Sequence, residues 1–116
     1  MTIGQRKVGD ITIIDLSERV TVPDGIDRLR EILRPLARQR GAKLVLNLQQ
    51  VTYIDSTALG DIVHAYTSAI RQGGSVKLLN VPPRVLQLLV MTKLLSIFDL
   101  FDSEAEAVRS FGSQPV

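Results

Sequence analysis

Lys43-Leu-Val-Leu-Asn-Leu-Gln-Gln-Val-Thr-Tyr-Ile-Asp-Ser-Thr-Ala-Leu-Gly60 changes its periodicity at Asp55. Before that point Leu44, Val45, Leu46 and Leu48 form a short, nearly continuous apolar run, which predicts a strand covered on both faces. Val51, Tyr53 and Ile54 are expected to keep the chain pinned to the core. After it, Ala58, Leu59, Ile62, Val63, Tyr66 and Ile70 recur at helical spacing. Asp55, Ser56 and Thr57 stand at the junction, each with a side-chain oxygen able to accept a backbone N–H bond, so this is where a helix begins. A helix start offers unpaired N–H groups and the positive end of the macrodipole, which would favour a phosphate added to a serine there. The same three residues also serve as ordinary caps, and local chemistry alone favours that reading.

Outward from this stretch, strand and helix patterns alternate. Towards the N-terminus, Gly9-Asp10 marks a turn into a strand beginning at Ile11, with residues 3–7 as the first arm of a hairpin. Pro23 or Asp24 is positioned to open a helix in which Leu29, Ile32, Leu33, Leu36 and Ala37 share one face until Gly41 stops it, with a kink expected at Pro35. Arg30, Arg34 and Arg38, spaced by four, form a basic stripe on another face. A solvated surface accounts for such a stripe, with an acidic partner or lipid headgroups as the alternative, and the three charges are expected to be largely dispensable for folding. Towards the C-terminus, Gly73-Gly74 suits a left-handed helix end, and a strand follows from Ser75. Pro82-Pro83 opens a helix to Met91 that is apolar nearly all round, so it is either deeply buried or offers a patch to a partner. A last strand is expected over Ser96–Phe101. Ser103 with Glu106 forms a capping box for a terminal helix, and 113–116 reads as a loose tail after a domain spanning 1–112. The alternation predicts a single α/β domain, a mixed and mostly parallel sheet of about four to five strands flanked by about four helices.

Composition removes several classes of function. The chain has 116 residues, 45% of them hydrophobic, which is enough for one buried core. With no cysteine and a single histidine, His64, it has neither disulfides nor a thiolate or histidine metal site, and His64 falls off the apolar stripe of its helix. A net charge of +2 and only 4% aromatics give little support for direct nucleic-acid binding. No apolar run reaches membrane-span length, and the first residues lack the apolar segment of a signal peptide, so a cytoplasmic protein is expected. Phosphate-binding glycine loops are absent, and Asp55-Ser56-Thr57 lacks the flanking glycines of a nucleophile elbow. An aspartyl-phosphate site at Asp55 would want an acidic magnesium-binding cluster, which Asp15 alone does not supply. The sequence therefore predicts no cofactor, no metal and no enzyme.

Val51-Thr-Tyr-Ile-Asp-Ser-Thr-Ala-Leu-Gly60 resembles the signature of STAS domains, the anti-sigma factor antagonists of bacteria. The resemblance extends along nearly the whole chain. Leu29-Arg-Glu-Ile-Leu-Arg-Pro-Leu-Ala37 is similar to the family's first helix, Gln72-Gly-Gly-Ser-Val-Lys-Leu78 to the segment after its second, and Val85-Leu-Gln-Leu-Leu-Val-Met-Thr-Lys-Leu94 to its third. Two segments depart from the family pattern. Leu16-Ser-Glu-Arg-Val-Thr21 stands where Gly-Glu-Leu-Asp is usual, and Val90-Met-Thr-Lys-Leu94 lacks the usual Asp and Gly.

The resemblance implies a signalling module without catalytic residues. Ser56 would be the phosphorylation site, and Asp55, Ser56, Thr57, Ala58, Leu59 and Gly60 would form the partner-binding segment. The implied partner is an anti-sigma factor with serine kinase activity, which supplies its own nucleotide and magnesium, together with a phosphatase that resets Ser56. The alternative it implies is a non-switching STAS subunit of a lipid-transport ABC complex, an anion transporter or a signalling scaffold, with Ser56 only a cap.

Overall fold

The structure, a computed structural model, describes residues 1–21 and 28–112. The expected helix opening at Pro23 or Asp24 and the tail at 113–116 lie outside the described residues. Strands β1 (Thr2–Val8) and β2 (Ile11–Val20) are followed by α1 (Arg28–Ala37), β3 (Lys43–Ile54), α2 (Ser56–Arg71), β4 (Ser75–Leu79), α3 (Pro83–Met91), β5 (Leu100–Phe101) and α4 (Glu104–Gly112). The five strands lie side by side in chain order, β1 antiparallel to β2 and every later pair parallel. A mixed, mostly parallel sheet with four α-helices among the described residues is the architecture the alternation predicts.

Alternation along β2 and β3 divides the core into two layers. Ile14, Leu16, Leu44, Leu46 and Leu48 face one way and are covered by Leu29 and Leu33 of α1, Ile62 of α2, and Val85 and Leu89 of α3. Ile11, Ile13 and Val45 face the other way, where α4 closes over them with Ala107 and Phe111. Burial on both faces explains the unbroken apolar run of β3. A polar chain ties β1, β2 and β3 to α4. Arg6 of β1 binds Asp15 of β2 (2.7 Å) and Glu104 of α4 (2.5 Å), and Asn47 of β3 donates to the same Asp15 (2.8 Å).

Four expectations require correction. Tyr53 is 40% exposed and does not anchor the core, a task left to Val51 and Ile54. In α2, Ile70 is 48% exposed, and the small residues Ala65 and Ala69 are buried in its place. α1 ends at Ala37, before Gly41. Most of the expected last strand is not extended: Leu95–Ile97 form a 3-10 turn, leaving Leu100 and Phe101 to pair with Leu78 and Leu79. The turn takes up the first part of that stretch, where Leu95 and Ile97 pack against the core.

Candidate functional site

β3 delivers Asp55 to the end of the sheet with its backbone still extended. Its N–H donates to the Val20 carbonyl (3.1 Å), so the end of β2 fixes the turn. Its carboxylate accepts from the Ala58 N–H (2.8 Å), and its carbonyl accepts from the Leu59 N–H (3.0 Å). Asp55 is therefore the N-cap of α2, and Ser56 is the first residue of the helix. The hydroxyl of Ser56 is released from capping and exposed, as is Thr57 beside it.

The six-residue segment from Asp55 to Gly60 splits by direction. Ser56, Thr57 and Gly60 face solvent, Asp55 is half-buried, and Ala58 and Leu59 are buried against the core at 2% and 4% exposure. A surface using this segment therefore meets a partner through Ser56, Thr57 and Gly60. A Cβ added at Gly60 would find nothing within 4 Å, so nothing in the described fold needs glycine there. Glycine in a helix interior costs roughly 0.5–1 kcal/mol relative to alanine. Close approach of another surface is a physical reason to keep it.

Beside Ser56 runs a groove of about 450 Å³ whose far wall is α3, with Arg84, Gln87, Leu88 and Met91 opposite Tyr53 and Ser56. Val90 and Met91, 55% and 72% exposed, continue it as an apolar shelf. The Arg19 guanidinium lies 4.8 Å above the Tyr53 ring. The groove is lined by one cation, Arg84, and one carboxylate, Asp55, whose side chain is engaged by the Ala58 N–H. Sequence reading missed Arg84 as a neighbour of Ser56, because only the packing of α3 against the end of β3 brings them to one groove. The available signal was the all-round apolar pattern of Val85–Met91, which a fully buried helix would share.

Among the described residues no group of three His, Asp or Glu side chains could hold a metal ion. None of the described helices is long and apolar enough to cross a membrane.

Known proteins are similar to this chain in sequence and in fold. The chain is 46% identical over 72 residues to the anti-sigma-B factor antagonist of Bacillus subtilis, an alignment covering 62% of this chain and 65% of that protein. It thus spans just under two thirds of that relative. An anti-sigma-factor antagonist (STAS) domain protein from Planctomyces limnophilus superposes with a TM-score of 0.84 at 16% identity, over 96% of this chain and 98% of the other. SpoIIAA, a Bacillus cell fate determinant solved in its phosphorylated form, superposes with a TM-score of 0.74 at 18% identity, over 94% and 98%. The family model for the STAS domain matches residues 5–107. With the motif, the sheet order and that match in agreement, the chain belongs to the STAS domain family.

Proposed function

We propose that the protein is an anti-sigma factor antagonist that binds an anti-sigma factor through the surface around Ser56, and that phosphorylation of Ser56 by that partner ends the binding. The observation that carries this reading is the division of labour at the start of α2: Asp55 holds the cap, which leaves Ser56 exposed at the helix's positive end beside an apolar shelf. A serine needed only for capping would occupy the position Asp55 fills. The name of the Bacillus subtilis relative and the phosphorylated form of SpoIIAA support the same reading.

The physics of the switch is electrostatic. Phosphorylation adds about two negative charges, which the positive end of α2 favours in the free protein. In a complex the same charges must be stripped of water at the centre of the contact, which opposes association. In this role the chain acts as a binding module, and the partner contributes nucleotide, metal and phosphoryl transfer. Incubation with the cognate anti-sigma kinase and ATP, followed by mass spectrometry, tests it: phosphate on Ser56 and loss of the complex are expected. Phosphate elsewhere, or a complex that survives it, would overturn the reading.

A further inference from the structure

A second groove, of about 520 Å³, runs between α1 and α2, and it shares no lining residue with the groove beside Ser56. Arg34 and Arg38 form one wall, while His64, Ser68 and Arg71 form the other. Its apolar lining residues are covered: Leu33, Ala37 and Ala65 are 1%, 0% and 4% exposed. The single acidic residue in the lining, Asp61, is buried and bound by Arg30 at 3.2 Å, so that pair adds no net charge. Among the described residues Arg34, Arg38 and Arg71 form no ion pair.

Basic residues in a last helical turn complement the negative end of the macrodipole, which accounts for one cation on each helix. It does not account for Arg34 and Arg38 on one helix confronting Arg71 on the other across a polar channel, where like charges repel. Bound anion would relieve that repulsion. Guanidinium groups present paired donors matched to phosphate oxygens, and Arg34 and Arg38 are about 6 Å apart along the helix axis. Side chains at i and i+4 share one helix face and can converge on one phosphate, and a di- or triphosphate carries enough charge to engage Arg71 across the groove as well. A protein partner would instead want an exposed apolar anchor, and this groove has its apolar residues buried.

We propose that the groove between α1 and α2 binds a small phosphorylated polyanion, with Arg34 and Arg38 as its main ligands and Arg71 and His64 facing them. The site is independent of the role assigned to Ser56. The test titrates the protein with tripolyphosphate, pyrophosphate and orthophosphate, following backbone amides by NMR and heat by calorimetry. Saturable binding is expected, strongest for tripolyphosphate, with shifts confined to residues 34–38 and 64–72. Arg34→Gln/Arg38→Gln should weaken it by about tenfold or more. Arg71→Gln, on the other helix, should weaken it too, and unfolding curves establish that each variant is folded. Several results would overturn the proposal: no saturation, unchanged affinity in both variants, or shifts mapping elsewhere. Tighter binding of poly-glutamate, or sedimentation with phosphatidylglycerol vesicles without binding of free tripolyphosphate, would assign the groove to an acidic protein or a lipid surface instead.

Discussion

Arg30 Nε lies 3.2 Å from Asp61 Oδ1 and ties α1 to α2 through a carboxylate whose side chain is only 6% exposed. A carboxylate withdrawn from water is costly unless a partner holds it. Arg30 is therefore part of the fold, which corrects the expectation that the stripe formed by Arg30, Arg34 and Arg38 is dispensable as a whole.

Arg30→Gln should lower stability by about 1–3 kcal/mol, less than a fully buried pair would lose because the guanidinium is half exposed. Arg34→Gln and Arg38→Gln should each change it by no more than about 0.5 kcal/mol. Urea unfolding of the three variants decides the matter. Equal midpoints would show that the pair contributes nothing.

A second prediction concerns the close approach of the loops after α1 and α2. A Cβ at Gly74 would sit 1.9 Å from the Ala42 carbonyl oxygen, and the backbone there is held by the Ser75 N–H donating to that same oxygen (2.8 Å). Neighbouring Gly73 has φ +79 but nothing within 4 Å of its added Cβ. Gly73→Ala should cost about 1–2 kcal/mol of backbone strain, whereas Gly74→Ala has no left-handed φ to strain but must push the backbone at Ala42 away and should cost more, about 3 kcal/mol or above. Thermal unfolding showing the reverse order would mean the loops separate easily.

The fold was readable because its signals are local. Leu44 to Leu48, the turn at Gly9-Asp10, Pro82-Pro83 and Gly73-Gly74 each depend on near neighbours in sequence, and each appears where the pattern places it. Tyr53 and Ile70 were misplaced because an apolar residue's spacing does not say whether anything covers it. Asp61 was overlooked because an acidic residue inside an amphipathic helix is ordinarily solvated, and only the arrival of Arg30 from another helix makes its burial tolerable. The capping role could not be divided among Asp55, Ser56 and Thr57 from sequence, since all three accept hydrogen bonds. The 2.8 Å bond to the Ala58 N–H assigns it to Asp55.

Arg6 supplies a pH prediction. Its hydrogen bonds to Asp15 and to Glu104 hold both carboxyl groups below the usual carboxylate range, with Asn47 adding to the effect at Asp15. Groups whose pKa falls on folding add stability above their unfolded values, near pH 4 to about 4.5. That contribution disappears as pH drops through the lowered folded values. Arg6→Gln should therefore unfold more easily than the parent at pH 7 and lose less stability on acidification from pH 6 to pH 3. Parallel stability curves for the two proteins would show that the exposed network is inert.

The start of α2 allows the cap, the switch and the contact surface to be tested separately. Asp55→Ala removes the hydrogen bond to the Ala58 N–H and should cost about 0.5–2 kcal/mol. Ser56→Ala leaves that cap in place, so its stability should change by less than about 0.5 kcal/mol while phosphorylation is abolished and partner binding persists. Ser56→Asp puts a carboxylate at the positive helix end, which should leave the fold intact or steadier by a few tenths of a kcal/mol, yet weaken partner binding because that charge must be desolvated. Thr57→Ala should leave phosphorylation unchanged. Gly60→Ala should stabilise the free protein by about 0.5–1 kcal/mol, since its Cβ meets open space, and weaken the complex by occupying room the partner needs. Unfolding midpoints, phosphate mapping and binding titrations on this set separate the roles. If Ser56→Asp and Gly60→Ala both bind the anti-sigma factor as tightly as the parent, the contact lies elsewhere.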